Sequence, residues 1–233
     1  MTKPTFTTAL IVGAGAGLSG ALARLLCQQG LRVGLAARQP DRLADLAAET
    51  GAERFACDVS QTDQVAALFD QVDAKLGEPD LVVFNPSARS RGPVADLDPA
   101  DVQRALAVTA FGGFLVGQQA ARRMTPKEQG AILFTGASAS VKGYAQSAPF
   151  AMGKFALRGL AQSMARELAP KGIHVAHFVI DGGILPPGRD QSADRPDSML
   201  DSDAIAQTYW QVAQQDRSAW TWEVELRPWV ETF

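Results

Sequence analysis

The strongest chemical signal in the chain is a glycine cluster near its N-terminus, Gly13-Ala14-Gly15-Ala16-Gly17-Leu18-Ser19-Gly20. Closely spaced glycines let a chain turn sharply and let a pyrophosphate approach the backbone. A helix starting there adds free N–H groups and the positive end of its dipole. The cluster follows a strand-length apolar run, Phe6 to Val12, and precedes Leu22, Leu25 and Leu26 at helical spacing. In that strand–turn–helix setting it points to dinucleotide binding. Few other groups compete for attention. His174 and His177 are the only histidines, three apart on a strand-like run, so their side chains face opposite ways. With no Cys-x-x-Cys and no His-Glu-x-x-His, metal chemistry is not expected. Cys27 and Cys57 lie in apolar segments and read as buried free thiols of a reducing compartment.

The elements that must position these groups alternate along the chain. Strand-like runs at Phe6–Val12, Arg32–Ala37, Glu53–Ala56, Asp80–Phe84, Ala131–Thr135 and Ile173–Ile180 are separated by helical patterns. The helices are expected over Leu18–Gln29, Arg42–Glu49, Thr62–Leu76, Ala100–Met124 and Phe150–Leu168. Leu81-Val82-Val83-Phe84 lacks alternation, as a strand buried on both faces would. Repeated βα units of this kind imply an α/β fold: a Rossmann-like, doubly wound parallel sheet in a three-layer α/β/α domain. The length of 233 residues fits one domain over 1–233. Within it, 182–199 is expected as a proline-rich substrate-side loop, and 218–233 as a C-terminal strand and tail.

These motifs together resemble the short-chain dehydrogenase/reductase family over nearly the whole chain. Gly13 and Gly17 match its glycine pattern, while Ser19 stands at the usual third glycine. Asp58-Val59 resembles the family's adenine-contacting pair. Phe84-Asn85-Pro86-Ser87 keeps the asparagine of the usual Asn-Asn-Ala-Gly, and Asp181-Gly182-Gly183 matches the Pro-Gly turn with Asp181 replacing proline. The resemblance implies a nicotinamide cofactor held by Gly13, Gly15, Ala16, Gly17, Leu18, Arg38, Asp58, Val59, Asn85, Lys154, Gly182 and Ile184. At the end of the second strand an acidic residue would bind the ribose 2′-hydroxyl, but Ala37 stands there, followed by Arg38. A guanidinium can fork a 2′-phosphate, so NADP is expected over NAD.

The family's catalytic set is Asn-Ser-Tyr-Lys, in which tyrosine exchanges the proton and lysine, four residues on, lowers its pKa. Here Lys154 is kept, but Phe150 replaces the tyrosine, Ala137 the serine and Thr109 the asparagine, and Pro186 stands at the usual threonine. Ser138, beside Ala137, restores a hydroxyl with a one-residue shift. Tyr144, Ser138 and Lys154 are the candidate substitutes, with Lys154 acting as an acid if burial lowers its pKa and otherwise keeping its ribose-binding role. The expected function is an NADP(H)-dependent oxidoreductase acting on a small carbonyl/alcohol or similar reducible substrate by a non-standard proton route. The alternative is a catalytically degenerate nucleotide-binding regulatory or partner subunit.

A net charge of −3 with both signs interspersed argues against nucleic acid as partner. No uncharged apolar run reaches the roughly 18 residues needed to cross a bilayer, so no membrane role and a cytoplasmic location are expected. Trp210, Trp220, Trp222 and Trp229 crowd the C-terminal end. They fit either a tail packed on its own core or a subunit interface, and the resemblance favours a homodimer or homotetramer.

Overall fold

The computed structural model describes residues 4–231. Seven strands form one parallel sheet in the order β3-β2-β1-β4-β5-β6-β7, with β1 Thr8–Val12, β2 Arg32–Ala37, β3 Glu53–Ala56, β4 Leu81–Phe84, β5 Gly130–Thr135, β6 Ile173–Ile180 and β7 Glu223–Leu226. The order reverses direction between β1 and β4. At such a switch point the loops diverge and leave a crevice at the carboxyl ends of the strands.

Period-two alternation in the central strands splits the core into two layers. Ile11, Val83, Leu133 and Phe178 face α1 (Leu18–Gln28) and α7 (Ser202–Ala213), where Leu22, Leu26, Ile205 and Val212 bury their side chains. Leu10, Val82, Ile132 and Val175 face α3 (Thr62–Leu76), α5 (Gly112–Met124) and α6 (Ala148–Leu168) through Leu68, Val116 and Leu157. The parallel doubly wound expectation therefore holds.

Four local expectations change. The second helix is shorter than Arg42–Glu49: Pro40 opens a 3₁₀ turn over Pro40–Leu43, and α2 runs Ala44–Thr50. The long helix Ala100–Met124 is not uniform, because α4 (Pro99–Leu106) joins α5 through a π-helical stretch at Ala107–Phe111. Helix α7, absent from the sequence reading, is capped by the Asp201 carboxylate, which accepts from the Asp203 and Ala204 N–H groups at 2.8 and 2.9 Å. The C-terminal strand is confined to Glu223–Leu226, so Trp220 and Trp222 precede it.

The tryptophans of the tail have partners within the chain. Trp220 stacks on His174 at 4.7 Å, Arg158 lies 5.7 Å over Trp222, and Trp210 meets Phe6 edge-on at 6.1 Å. Trp229 alone of the four is strongly exposed, at 82%. Cys57 is buried and Cys27 half-buried, and both are free thiols. None of the helices among the described residues is long and apolar enough to cross a membrane.

Candidate active site

The loops after β1, β2, β4, β5 and β6 meet at the carboxyl edge of the sheet. After β1 the chain turns at Gly13, whose φ of +79° is a left-handed conformation, and a Cβ there would lie 2.7 Å from Pro86. The Gly13 and Ala14 N–H groups both donate to the Ala36 carbonyl at 2.9 Å, which pins the glycine loop to β2. Gly15 and Gly17 face open space, leaving room for a ligand against the backbone at the start of α1. Ser19, at the position of the usual third glycine, is buried and functions as a tie. Its hydroxyl donates to the Gly13 carbonyl at 3.2 Å and accepts from Asn85 Nδ2 at 2.7 Å.

A cleft of ≈ 1110 Å³ opens beside this loop and is lined by Gly13, Gly15, Ala16, Arg38, Asp58, Val59 and Asn85. Arg42 and Arg104 also line it, two cations the sequence reading did not single out. Asp58 is turned into its own loop, where one carboxylate oxygen accepts from the Ser60 N–H and hydroxyl at 3.0 and 2.8 Å. Gly17, Leu18 and Ile184 border an adjoining pocket of ≈ 270 Å³, with Pro186 and Pro187 of the long loop on its far side. The open glycine cradle and the cleft beside it fit a nicotinamide dinucleotide, with Arg38 just past the end of β2 on the cleft wall.

A second cavity of ≈ 840 Å³ continues from Asn85 and Ser87, which line both spaces. Into it face Ser138, Tyr144, Phe150, Lys154, Gly182 and Ile184. The structure thus gathers Ser138, Tyr144, Phe150 and Lys154 in one cavity, and excludes Thr109. That residue is 1% exposed, packs against Gly153 and accepts from the Ala88 N–H at 3.2 Å. The π-helical stretch carries it, and the wider turn sets Thr109 to brace the loop after β4 rather than to face substrate. Pro186 borders the smaller pocket instead.

Lys154 is 2% exposed and its Nζ donates to the Thr135 carbonyl at 2.7 Å. Burial, with the Arg89 charge adding to it, pulls its pKa down to about 7. The Thr135 hydroxyl accepts from the buried Tyr209 phenol at 2.9 Å, so Thr135 is fixed from both sides. Ser140 serves its own turn, accepting from the Ala137 N–H at 3.1 Å. Ser138 turns to the cavity. Phe150 is nearly buried, with Lys154 Nζ 6.0 Å and the Arg89 guanidinium 4.0 Å from its ring centre. Arg89 and Arg91, both on the cavity wall, were missed by sequence reading. Two arginines within four residues of Asn85-Pro86-Ser87 were the available signal.

Beneath the cavity floor His177 is fully buried, its Nδ1 3.0 Å from Glu223. Burial pushes its pKa down to about 4 despite that carboxylate. Arg158 forks Glu223 at 2.6 and 2.7 Å. His174 bonds the Thr221 carbonyl at 2.8 Å through Nε2, so the two histidines share no site. No group of three or more potential metal ligands occurs among the described residues.

A family model described as short chain dehydrogenase matches residues 7–193. Momilactone A synthase of Oryza sativa subsp. japonica is 36% identical over 186 residues, covering 77% of this chain and 67% of that protein. (21S)-21-acetoxyl-apo-melianone synthase SDR of Melia azedarach is 31% identical over 172 residues, covering 72% of this chain and 63% of that protein. The match thus spans about two thirds of the length of these relatives. Among solved structures, a short-chain dehydrogenase from Rhodopseudomonas palustris superposes with a TM-score of 0.82 at 35% identity, over 96% of this chain and 99% of that one. A metagenomic short-chain oxidoreductase in complex with NADP gives a TM-score of 0.83 at 28% identity, over 95% and 97%.

Proposed function

The chain belongs to the short-chain dehydrogenase family, an oxidoreductase family that uses NAD(P), and from that premise we propose that it is an NADP(H)-dependent reductase of small carbonyl compounds with Lys154 as proton donor. The observation that carries this reading is Lys154 itself: a buried ammonium with a pKa near 7, in the same cavity as Ser138 and next to the dinucleotide cleft. A general acid is most effective when its pKa lies near the working pH.

When bound, the reduced nicotinamide supplies the hydride that the carbonyl carbon accepts. Lys154 gives a proton to the carbonyl oxygen as the new C–H bond forms, and regains one from solvent. Ser138 donates a hydrogen bond to the same oxygen. Phe150 keeps the ring of the usual tyrosine and takes no part in proton transfer. Its apolar face helps keep Lys154 desolvated, which sustains the lowered pKa.

NADP over NAD rests on Arg38 and Arg42 in the cleft and on Ala37 at the position of the usual acid. Gly13, Gly15, Ala16, Gly17, Leu18 and Ile184 would hold the pyrophosphate end, Asp58 and Val59 the adenine, and Asn85, Lys154 and Gly182 the nicotinamide end. A homo-oligomer is also part of this reading. Phe111, Phe114, Met152 and Phe155 expose a combined apolar face on the π turn, α5 and α6 that suits a second copy of the chain. Light scattering gives the mass that tests it.

The assay that tests the activity is NADPH consumption against a panel of aldehydes, ketones and imines, beside a fluorescence titration of NADPH and NADH. Saturable NADPH binding with turnover of at least one carbonyl supports the reading. Tight binding without turnover of any of them favours the silent-subunit alternative, to which Phe150 lends its weight.

A further inference from the structure

Resting on the reductase reading above, the substrate end of the cavity has a charge pattern that the proton chemistry does not use. Arg89 and Arg91 lie on its wall and Lys154 at its base. No carboxylate makes an ion pair with Arg89 or Arg91 among the described residues. The acids of the cavity do not compensate them. Asp181 is bound by Lys142 at 3.2 Å and faces Arg227 at 3.7 Å, and Glu231 is exposed at the rim.

Like charges collected in one concave space raise its free energy, and the effect is visible in the groups themselves. Burial and the neighbouring Arg91 lower the pKa of Arg89, and Arg89 in turn contributes to the low pKa of Lys154. Phe150 supplies the geometry. Its ring lies 4.0 Å from the Arg89 guanidinium, which is cation–π contact distance. Contact with the ring restrains the guanidinium, whose N–H groups remain available to fork a carboxylate. The loop that carries Arg89 is braced in turn by the Ala88 N–H bond to Thr109.

We infer that Arg89, stacked on Phe150, is the carboxylate-binding residue of the substrate site, and that the substrate is a small carbonyl compound carrying a carboxylate close to the carbonyl. The ring that replaces the usual tyrosine then has a positive use as the platform for the anion-binding guanidinium. Arg91 adds charge at the mouth. The carboxylate seated at Arg89 brings the neighbouring carbonyl over Lys154 and Ser138, and its negative charge offsets the convergence of cations.

Benzoylformate and its methyl ester test this, since they share a carbonyl and differ in charge. Their binding to the NADPH-loaded protein is measured by calorimetry, and their reduction by NADPH consumption. The acid is expected to bind at least ~10-fold more tightly than the ester. Arg89→Met is expected to bring that ratio to near one, and Arg89→Lys, which keeps charge and loses the fork, to an intermediate value. Circular dichroism and NADPH binding verify that each variant is folded. Equal binding of acid and ester, or an unchanged ratio in folded Arg89→Met, overturns the inference. Inorganic phosphate is the second probe: if it displaces benzoylformate and binds more tightly, the site selects phosphate and the carboxylate assignment fails. Arg89-dependent binding of the acid without reduction leaves the anion site standing and overturns the reductase reading instead.

Discussion

Lys154 and Thr135 are joined by a 2.7 Å hydrogen bond from the lysine Nζ to the threonine carbonyl, inside a cavity wall that leaves the lysine 2% exposed. One backbone acceptor does not replace the water that an ammonium loses, so the charge is held at a cost that lowers its pKa to about 7. A pKa in that range suits the proton-donor role proposed for Lys154. The same residue predicts two pH effects.

With Lys154 as the proposed proton donor, carbonyl reduction should slow as pH rises through about 7, and the reverse oxidation should quicken over the same range. Stability carries the opposite sign to an ordinary salt bridge. The unfolded lysine, at 10.5, binds a proton that the folded one has released between about 7 and 10.5, so stability gained from this group rises with pH across that window. At neutral pH Lys154→Met should therefore stabilise the fold by ~1–4 kcal/mol, the scale for replacing a buried charge by an apolar side chain, while abolishing turnover. Urea denaturation and initial rates measure the two effects.

Arg38 is expected to choose the cofactor. Arg38→Ala should weaken NADPH by ~1.5–3 kcal/mol, the scale of hydrogen bonds to a charged group, and leave NADH nearly unchanged. Arg42 lines the same cleft, so the double variant should lose more than either single one. Equal losses for both cofactors would show that Arg38 serves only the structure.

His177 should make the fold sensitive to acid. Its folded pKa is about 4 against 6.5 unfolded, so the unfolded state binds the extra proton between those values and stability falls as pH drops through that window. The loss is on the order of 3 kcal/mol when complete. Glu223 acts in the same direction, because burial raises its pKa but Arg158 and His177 together outweigh this and leave it lowered. Urea midpoints from pH 7 downward should show a steep loss that is smaller in His177→Gln.

Phe150→Tyr tests the missing hydroxyl. It adds one oxygen on the helix that carries Lys154, where the ammonium favours the phenolate. Ketone reduction should rise by ~10-fold or more, further with Ala137→Ser, and the two gains need not be additive because both hydroxyls act on one oxygen. Folded variants that bind NADPH and show no gain on any ketone would remove the hydroxyl from the account of this pocket.

The fold was legible because its signals are local and repeated: buried apolar strands, helices between them, and a glycine cluster at the first turn. Helix α7 was missed although Ile205, Tyr209 and Val212 have helical spacing, because the proline-rich stretch before it masked the start that Asp201 caps. The π turn escaped because one wide turn barely disturbs a 3.6-residue pattern, and it is what sets Thr109 against Gly153. At the site, residue types were readable and burial was not. Lys154 could be named from its place, but its low pKa depends on burial by residues distant in sequence and on the Arg89 charge nearby. The Arg89–Phe150 stack joins a loop to a helix far along the chain, a contact that no spacing announces.

Hydride transfer is followed most directly with NADPH carrying deuterium at the transferable position, the carbonyl panel, and mass spectrometry of the products. The expected product is an alcohol with one deuterium on the former carbonyl carbon, formed at a rate that falls above about pH 7 and lost in Lys154→Met. Saturable NADPH binding with no deuterium in any product would contradict the proposed reduction.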